Sequence, residues 1–379
     1  VNYPTRILFV ISLAHMVNDL ALVVIPPLLP LISLEFHLSH TQAGLILSSL
    51  SLTQVIVQPF FGALADKLGR RKLLMALGLT WFTTLLSLVG VAQHYILILI
   101  LVFLAGLGTS FYHPLSTSFL SASFIKSRGR AFGIHGVGGG LGSFIAPILM
   151  GSLAAMWGWR NSIFIMLIPG VLISLLLYLI VKENGAESKA GGRLMSVITL
   201  PVITLVTIRI FSNACYSGLV AFLPTYFVEG GFSIAIAGAY TAILFASGAV
   251  GQLAGGWLSD RFGRKLIIGL TNALAGLFLF LFTVSRGFSS LIFLVCVGSF
   301  LFATWPVAFA FTADLTPKDL VATATGVMFG LGACGNVIGP YLAGQLADAF
   351  NIGFSYLILS ILVLGGAALS LALPGKREA

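Results

Sequence analysis

Three polar side chains, His15, Asn18 and Asp19, interrupt the first long apolar run of the chain. Spaced four residues apart on a helix, His15 and Asp19 share a face, and Asn18 lies on the same flank, so an imidazole, an amide and a carboxylate are presented together. A carboxylate set in hydrocarbon costs about 2.5–3.5 kcal/mol on insertion scales and marks a functional site by default. Such a group can carry a proton or hold a polar substrate; its plain alternative is a polar contact that glues two helices. Further on, His113 precedes Pro114 and follows Tyr112, and Arg209 stands alone in another apolar run. Histidine titrates near neutral pH. A guanidinium stays charged and can take a carboxylate, phosphate or phosphonate in bidentate fashion.

The elements that must position these groups are membrane spans. Only 8% of the 379 residues are charged, against about 25% in a soluble domain, and 58% are hydrophobic, with a mean hydropathy of +1.06. The formal charge of +9 comes from short basic clusters between apolar runs, which suits loops beside anionic lipid and excludes a nucleic-acid binder. Cys215, Cys296 and Cys334 lie in apolar runs without metal or disulfide spacing. The first run holds Asp19, Pro26, Pro27 and Pro30 and no small-residue cleavage site, so it reads as a retained span.

Runs long enough to cross a bilayer fall at 7–34, 41–64, 72–92, 95–121, 129–156 and 160–181, then at 195–228, 234–258, 264–285, 288–312, 321–348 and 351–374. With both termini cytoplasmic, 17 of the 20 Lys and Arg residues fall on the inner side, the exceptions being Arg160, Arg209 and Arg286. The predicted architecture is an all-α integral membrane protein of twelve transmembrane helices. It comprises an N-terminal six-helix half (1–181), a cytoplasmic linker (182–194) and a C-terminal six-helix half (195–379).

The halves repeat one another. Gly62 to Arg71 returns as Gly256 to Lys265, and at the same offset of 194 Pro30, Glu35, Gly44 and Gln58 meet Pro224, Glu229, Gly238 and Gln252. An offset of 193 pairs Gly133, Gly139, Gly142, Pro147 and Gly151 with Gly326, Gly332, Gly335, Pro340 and Gly344. Parallel repeats of this kind place a binding site near the midplane between halves. Carried through the offset, His15 meets Arg209, Asn18 meets Ser212, and Asp19 meets Asn213. Counting 1.5 Å per residue from Arg193 and Arg6 sets Arg209 and Asp19 about 24 and 20 Å deep. Trp305-Pro306 occupies the place of His113-Pro114 at an offset of 192.

The loop Gly62 to Arg71, with its second copy, resembles the signature of the major facilitator superfamily. Ile11 to Asp19, Gln58-Pro59 and Gly106 to Pro114 resemble the fosmidomycin-resistance type of efflux protein within it. In that type an acidic residue often follows the His-Pro pair; here the position is Leu115, which carries no proton. Gly335 to Pro340 and Gly142 to Pro147 resemble the antiporter-associated pattern, with Ala146 where glycine is usual. The resemblance implies two six-helix halves that rock around a central cavity lined by spans 1 and 7, in a bacterial-type inner membrane.

On this reading Asp19 and His113 are the proton-coupling candidates. His15, Asn18, Tyr112, Arg209, Ser212, Asn213 and Trp305 are the substrate-binding candidates. Asp19 and Arg209 are candidates to face each other, either as a coupling pair in which substrate on Arg209 frees Asp19 to protonate or as a permanent salt bridge. Asp66, Arg70, Arg130, Asp260 and Arg264 read as cytoplasmic gate residues, and His135 is assigned to the same gate. The glycine-rich stretches of spans 5 and 11 lack a phosphate-loop ending and read as packing surfaces. No catalytic group, metal or cofactor is called for. The expected protein is a proton-driven exporter of a small anionic or amphipathic compound or drug, functional as a monomer, with only protons, substrate and lipid as partners. The alternatives are an uptake symporter for an organic anion, a divalent-metal exporter built on His15 and Asp19, and a sensor that does not transport.

Overall fold

Apolar sequence that must satisfy its backbone without water forms helices, and the described residues contain no strand. A computed structural model describes residues 3–68, 70–124, 127–182, 197–317 and 320–375; for 3–4, 58–68, 122, 128 and 322 the backbone alone is described. The helices are α1 (Tyr3–Leu22), α2 (Ile25–Phe36), α3 (His40–Leu68), α4 (Arg71–Leu88), α5 (Tyr95–Ser123), α6 (Arg128–Phe164) and α7 (Leu167–Ile180). They continue as α8 (Leu200–Glu229), α9 (Ile234–Phe262), α10 (Arg264–Val284), α11 (Phe288–Leu315), α12 (Val321–Gly332), α13 (Cys334–Ala349) and α14 (Ile352–Ser370).

Ten segments among the described residues are long and apolar enough to cross a membrane. The other two expected spans coincide with α3 and with the end of α6 plus α7. Boundaries differ from the sequence expectation where the backbone is interrupted. The first span breaks between α1 and α2 because Pro26 and Pro27 in the first turn of α2 have no N–H to offer the preceding turn. The expected gap between spans 5 and 6 is a kink at Gly158, whose φ of 74° suits a residue without a Cβ. Span 11 breaks at Ala333, between α12 and α13. The expected linker, 182–194, lies outside the described residues except for Lys182.

The chain divides into two compact units. Unit 1 is Val1–His37, Ser49–Lys189 and Phe227–Ala242; unit 2 is Leu38–Ser48, Ala190–Tyr226 and Ile243–Ala379. The core of unit 1 gathers Ile7, Val10, Ile11, Ala14 and Val17, a 3–4 spaced stripe of α1, against Met75 and Leu79 of α4, Tyr112 and Phe119 of α5 and Leu177 of α7. The core of unit 2 gathers Val202, Leu205, Val206 and Ile208 of α8 against Ile267 and Ile268 of α10 and Val307 and Phe311 of α11.

One packing device appears in both units. A Cβ on Gly142 of α6 would fall on the carbonyl of Met16 in α1, and one on Gly335 of α13 would fall on the carbonyl of Ile210 in α8. These glycines let a second helix approach the backbone of α1 and of α8. Gly139 and Gly332 repeat the relation one turn away: the first abuts the ring of His15 and the carboxylate of Asp19, the second abuts Arg209 and Asn213.

Candidate functional site

In unit 1, α1, α5 and α6 converge on one polar network. Nε2 of His15 lies 3.2 Å from Oδ2 of Asp19. Nδ1 of His15 donates to the backbone carbonyl of His135 at 2.7 Å. A carbonyl only accepts, so the Nδ1 proton is fixed and any further proton on the ring is one shared with Asp19. The other carboxylate oxygen, Oδ1, accepts from Nδ2 of Asn18 at 3.1 Å and lies 3.6 Å from Nε2 of His113. Nδ2 of Asn18 also donates to Nε2 of His113 at 3.2 Å, while its Oδ1 accepts from Thr109 at 3.0 Å. The network therefore runs from His113 through Asn18 to Asp19 and His15, with the acceptor-only carboxylate setting the direction of the amide. The side chains of Asp19 and His113 keep 19% and 37% exposure, so this network can be reached from outside the packed core.

His15, Asp19 and His113 also offer metal-ligand atoms that all lie within 4.8 Å of one another. In the network, each of those atoms has a hydrogen-bond or ion-pair partner.

Two expectations for this cluster are corrected. Tyr112 does not line a cavity: it is fully buried, and its hydroxyl donates to the carbonyl of Ile11 at 2.6 Å. Consecutive helical residues point about 100° apart, so with His113 turned to the network Tyr112 turns to the backbone of α1. His135, expected apart from this cluster, packs into it. Its ring stacks on His15, with centroids 4.0 Å apart and planes at 15°, and it is buried. Asn18 is fully buried as well and connects His113 to Asp19.

In unit 2, the counterpart helices build a different chemistry at matching positions. Arg209 is 3% exposed. Nη2 donates to Oδ1 of Asn213 at 2.7 Å and Nη1 to Thr304 at 3.4 Å, and the guanidinium carbon lies 5.1 Å from the ring centre of Trp305 and 5.9 Å from that of Phe309. Nδ2 of Asn213 donates to the carbonyl of Gly332 at 2.8 Å, which sets the amide so that its oxygen faces the arginine. No carboxylate pairs with Arg209 among the described residues. The guanidinium has five N–H donors, and protein takes two of them. Trp305 leans on Tyr216 at 5.5 Å and Phe302 at 6.1 Å, which completes an aromatic wall. Ser212 departs from expectation: it is fully buried between the carbonyl of Ile208 and Oδ1 of Asn272, and so faces α10.

Thr109, Thr304, Tyr216 and Phe309 join these clusters without having been singled out from the sequence. Tyr216 was findable, since 209, 213 and 216 form one helical stripe.

Among the gate candidates, Arg264 at the start of α10 pairs with Asp260 at 2.6 Å and with Asp314 of α11 at 3.2 Å, and it also donates to Ser259. The side chain of Asp66 lies outside the described residues. Arg70 and Arg130 are exposed. In unit 1 the residue that opens α4 is Arg71, which is buried, so Arg71 and not Arg70 stands where Arg264 stands in unit 2.

The sequence matches a family model for the Major Facilitator Superfamily over residues 11–251 and 231–379. The chain is 28% identical to the fosmidomycin resistance protein of Escherichia coli K12, over 98% of this chain and 93% of that protein. It is 27% identical to the sialic acid transporter NanX of the same organism, over 95% and 92%. Its fold matches a crystal structure of a bacterial homologue of the human lysosomal transporter Spinster with a TM-score of 0.87 at 19% identity, covering 98% and 97% of the two chains. The arrangement is thus an all-α, multi-pass membrane fold whose relatives are transporters and not enzymes.

Proposed function

We propose that this chain, which belongs to the Major Facilitator Superfamily, is a proton-coupled transporter that exports small organic anions by alternating access. The observation that carries the reading is Arg209. A buried guanidinium is costly to leave without a counter-charge, and Asn213, Thr304 and Trp305 hold it by neutral contacts only. A transported anion supplies the missing charge. Trp305 and Phe309 give an apolar flank, which suits an amphipathic anion better than a bare inorganic one.

Coupling falls to the unit 1 network. His113, the more exposed end, admits the proton; the Asp19–His15 pair holds it; Asn18 keeps the two ends in hydrogen-bond contact. Protonation changes the charge of the unit that must move, so the proton gradient biases which conformation is populated. The gate role falls to Arg264 with its two carboxylates at the basic end of α10, aided by Asp66, Arg71 and Arg130, in an inner membrane with both termini cytoplasmic. One chain holds both clusters and suffices for the cycle.

The direction of export follows the likeness to the fosmidomycin resistance protein and the antiporter-like glycine pattern. The second reading, uptake, is favoured by the likeness to a sialic acid transporter. Proteoliposomes loaded with sialic acid or with fosmidomycin, given a pH gradient of either sign, separate the two. Export predicts efflux driven by inward proton flow. Accumulation with inward proton flow selects uptake, and binding without flux selects a sensor.

A further inference from the structure

A groove of about 610 Å³ lies wholly within unit 2, between the start of α10 and the end of α14. That volume falls within the range of about 300–1,000 Å³ typical of ligand pockets. Small residues make its floor: Gly269 and Ala273 on α10 and Ala367 on α14. Leu270 and Leu371, both exposed, make its walls. Two cations, Arg264 and Lys265, line the groove, and a third, Arg261, directly precedes its lining residue Phe262 in the chain. Arg264 is held by Asp260 and Asp314. Lys265 donates to the carbonyl of Leu371 at 2.8 Å, and Arg261 stacks on Trp257 and Phe262; neither makes an ion pair among the described residues.

Unit 1 carries the same lysine contact with a difference. Nζ of Lys72 lies 3.5 Å from the carbonyl of Tyr178, at the same sequence separation of 106 as Lys265 from Leu371, but there the tyrosine ring also covers the ammonium at 4.8 Å. Leucine at position 371 leaves Lys265 without that aromatic cover. An ammonium has three donors, and one is spent on the carbonyl.

We infer that this groove binds one anionic phospholipid, with an acyl chain along the small-residue floor and the phosphate headgroup on Lys265 and Arg261. An apolar slot and an unpaired basic mouth match the two ends of such a lipid. The basic pair selects the charge of the headgroup, as basic pockets between transmembrane helices do; the floor decides whether a chain fits at all.

Native mass spectrometry of the purified full chain tests this, with the protein released from micelles holding phosphatidylglycerol and phosphatidylcholine of the same acyl length in equal amounts. The wild type should retain one phosphatidylglycerol in preference, by at least about fivefold. Ala367→Phe and Ala273→Phe fill the slot and should abolish retention of both lipids. Lys265→Gln with Arg261→Gln, at exposed or half-exposed positions, should keep retention and lose the preference. Equal retention of the two lipids by the wild type overturns the inference. So does an unchanged preference in the double Gln variant, which decides the matter even if the Phe variants fail to fold.

Discussion

Nδ1 of His15 donates to the backbone carbonyl of His135, 2.7 Å away and 120 residues distant in sequence. That bond orients the imidazole so that its other nitrogen meets Asp19 at 3.2 Å. His135 thus positions the pair through its main chain, while its ring only stacks on His15. His135→Ala keeps the carbonyl and should retain pH-driven transport, whereas His15→Leu should abolish it. Flux in proteoliposomes under an imposed pH gradient checks both; a proton leak in His135→Ala would return that residue to a gate.

Arg209 should not tolerate replacement by lysine. A guanidinium held by Asn213 and Thr304 and set over Trp305 offers a planar fork that an ammonium lacks. Charge-assisted hydrogen bonds contribute about 1.5–3 kcal/mol, so Arg209→Ala should weaken anion binding by roughly tenfold or more and Arg209→Lys by a smaller but clear factor. Trp305 sits close enough to report binding by its fluorescence, which makes the titration direct.

The duplicated glycines predict a stability pattern. Gly142→Ala and Gly335→Ala each put a methyl group on a neighbouring backbone carbonyl and should cost about 1–3 kcal/mol. Gly140→Ala, where nothing lies within reach of the new methyl, should be near neutral. Thermal unfolding of the purified variants, followed by size-exclusion recovery, measures the contrast.

Those same positions explain what could be read from the amino acids alone. His15, Asn18 and Asp19 stood out because polar groups in an apolar run are costly, and the repeat offset then led from them to Arg209 and Asn213. Ser212 and Tyr112 misled because polarity says nothing about which side of a helix faces a cavity; that depends on how α10 packs against α8 and α5 against α1. His135 was beyond reach for another reason. Its relation to His15 exists only because Gly138, Gly139 and Gly142 draw α6 against α1, a close approach between segments more than a hundred residues apart. The exchange of Arg70 for Arg71 is a one-residue register difference at the start of α4, set by where the helix begins.

Divalent metal should be dispensable. His15, Asp19 and His113 could converge on an ion, yet in the proton-carrying account their bonds to one another do the work. Treatment with a chelator, followed by dialysis, should leave flux unchanged. A loss that added zinc restores would reassign the three residues to a metal site.

The most direct test of the central claim is proton movement itself. In proteoliposomes carrying a pH-sensitive dye in the lumen, substrate added to the wild type should drive a proton flux that scales with substrate flux. In Asp19→Asn the amide keeps its hydrogen bonds but binds no proton, so downhill substrate exchange should persist while the substrate-linked proton flux disappears. Proton flux that survives in Asp19→Asn at the wild-type ratio to substrate would contradict the account.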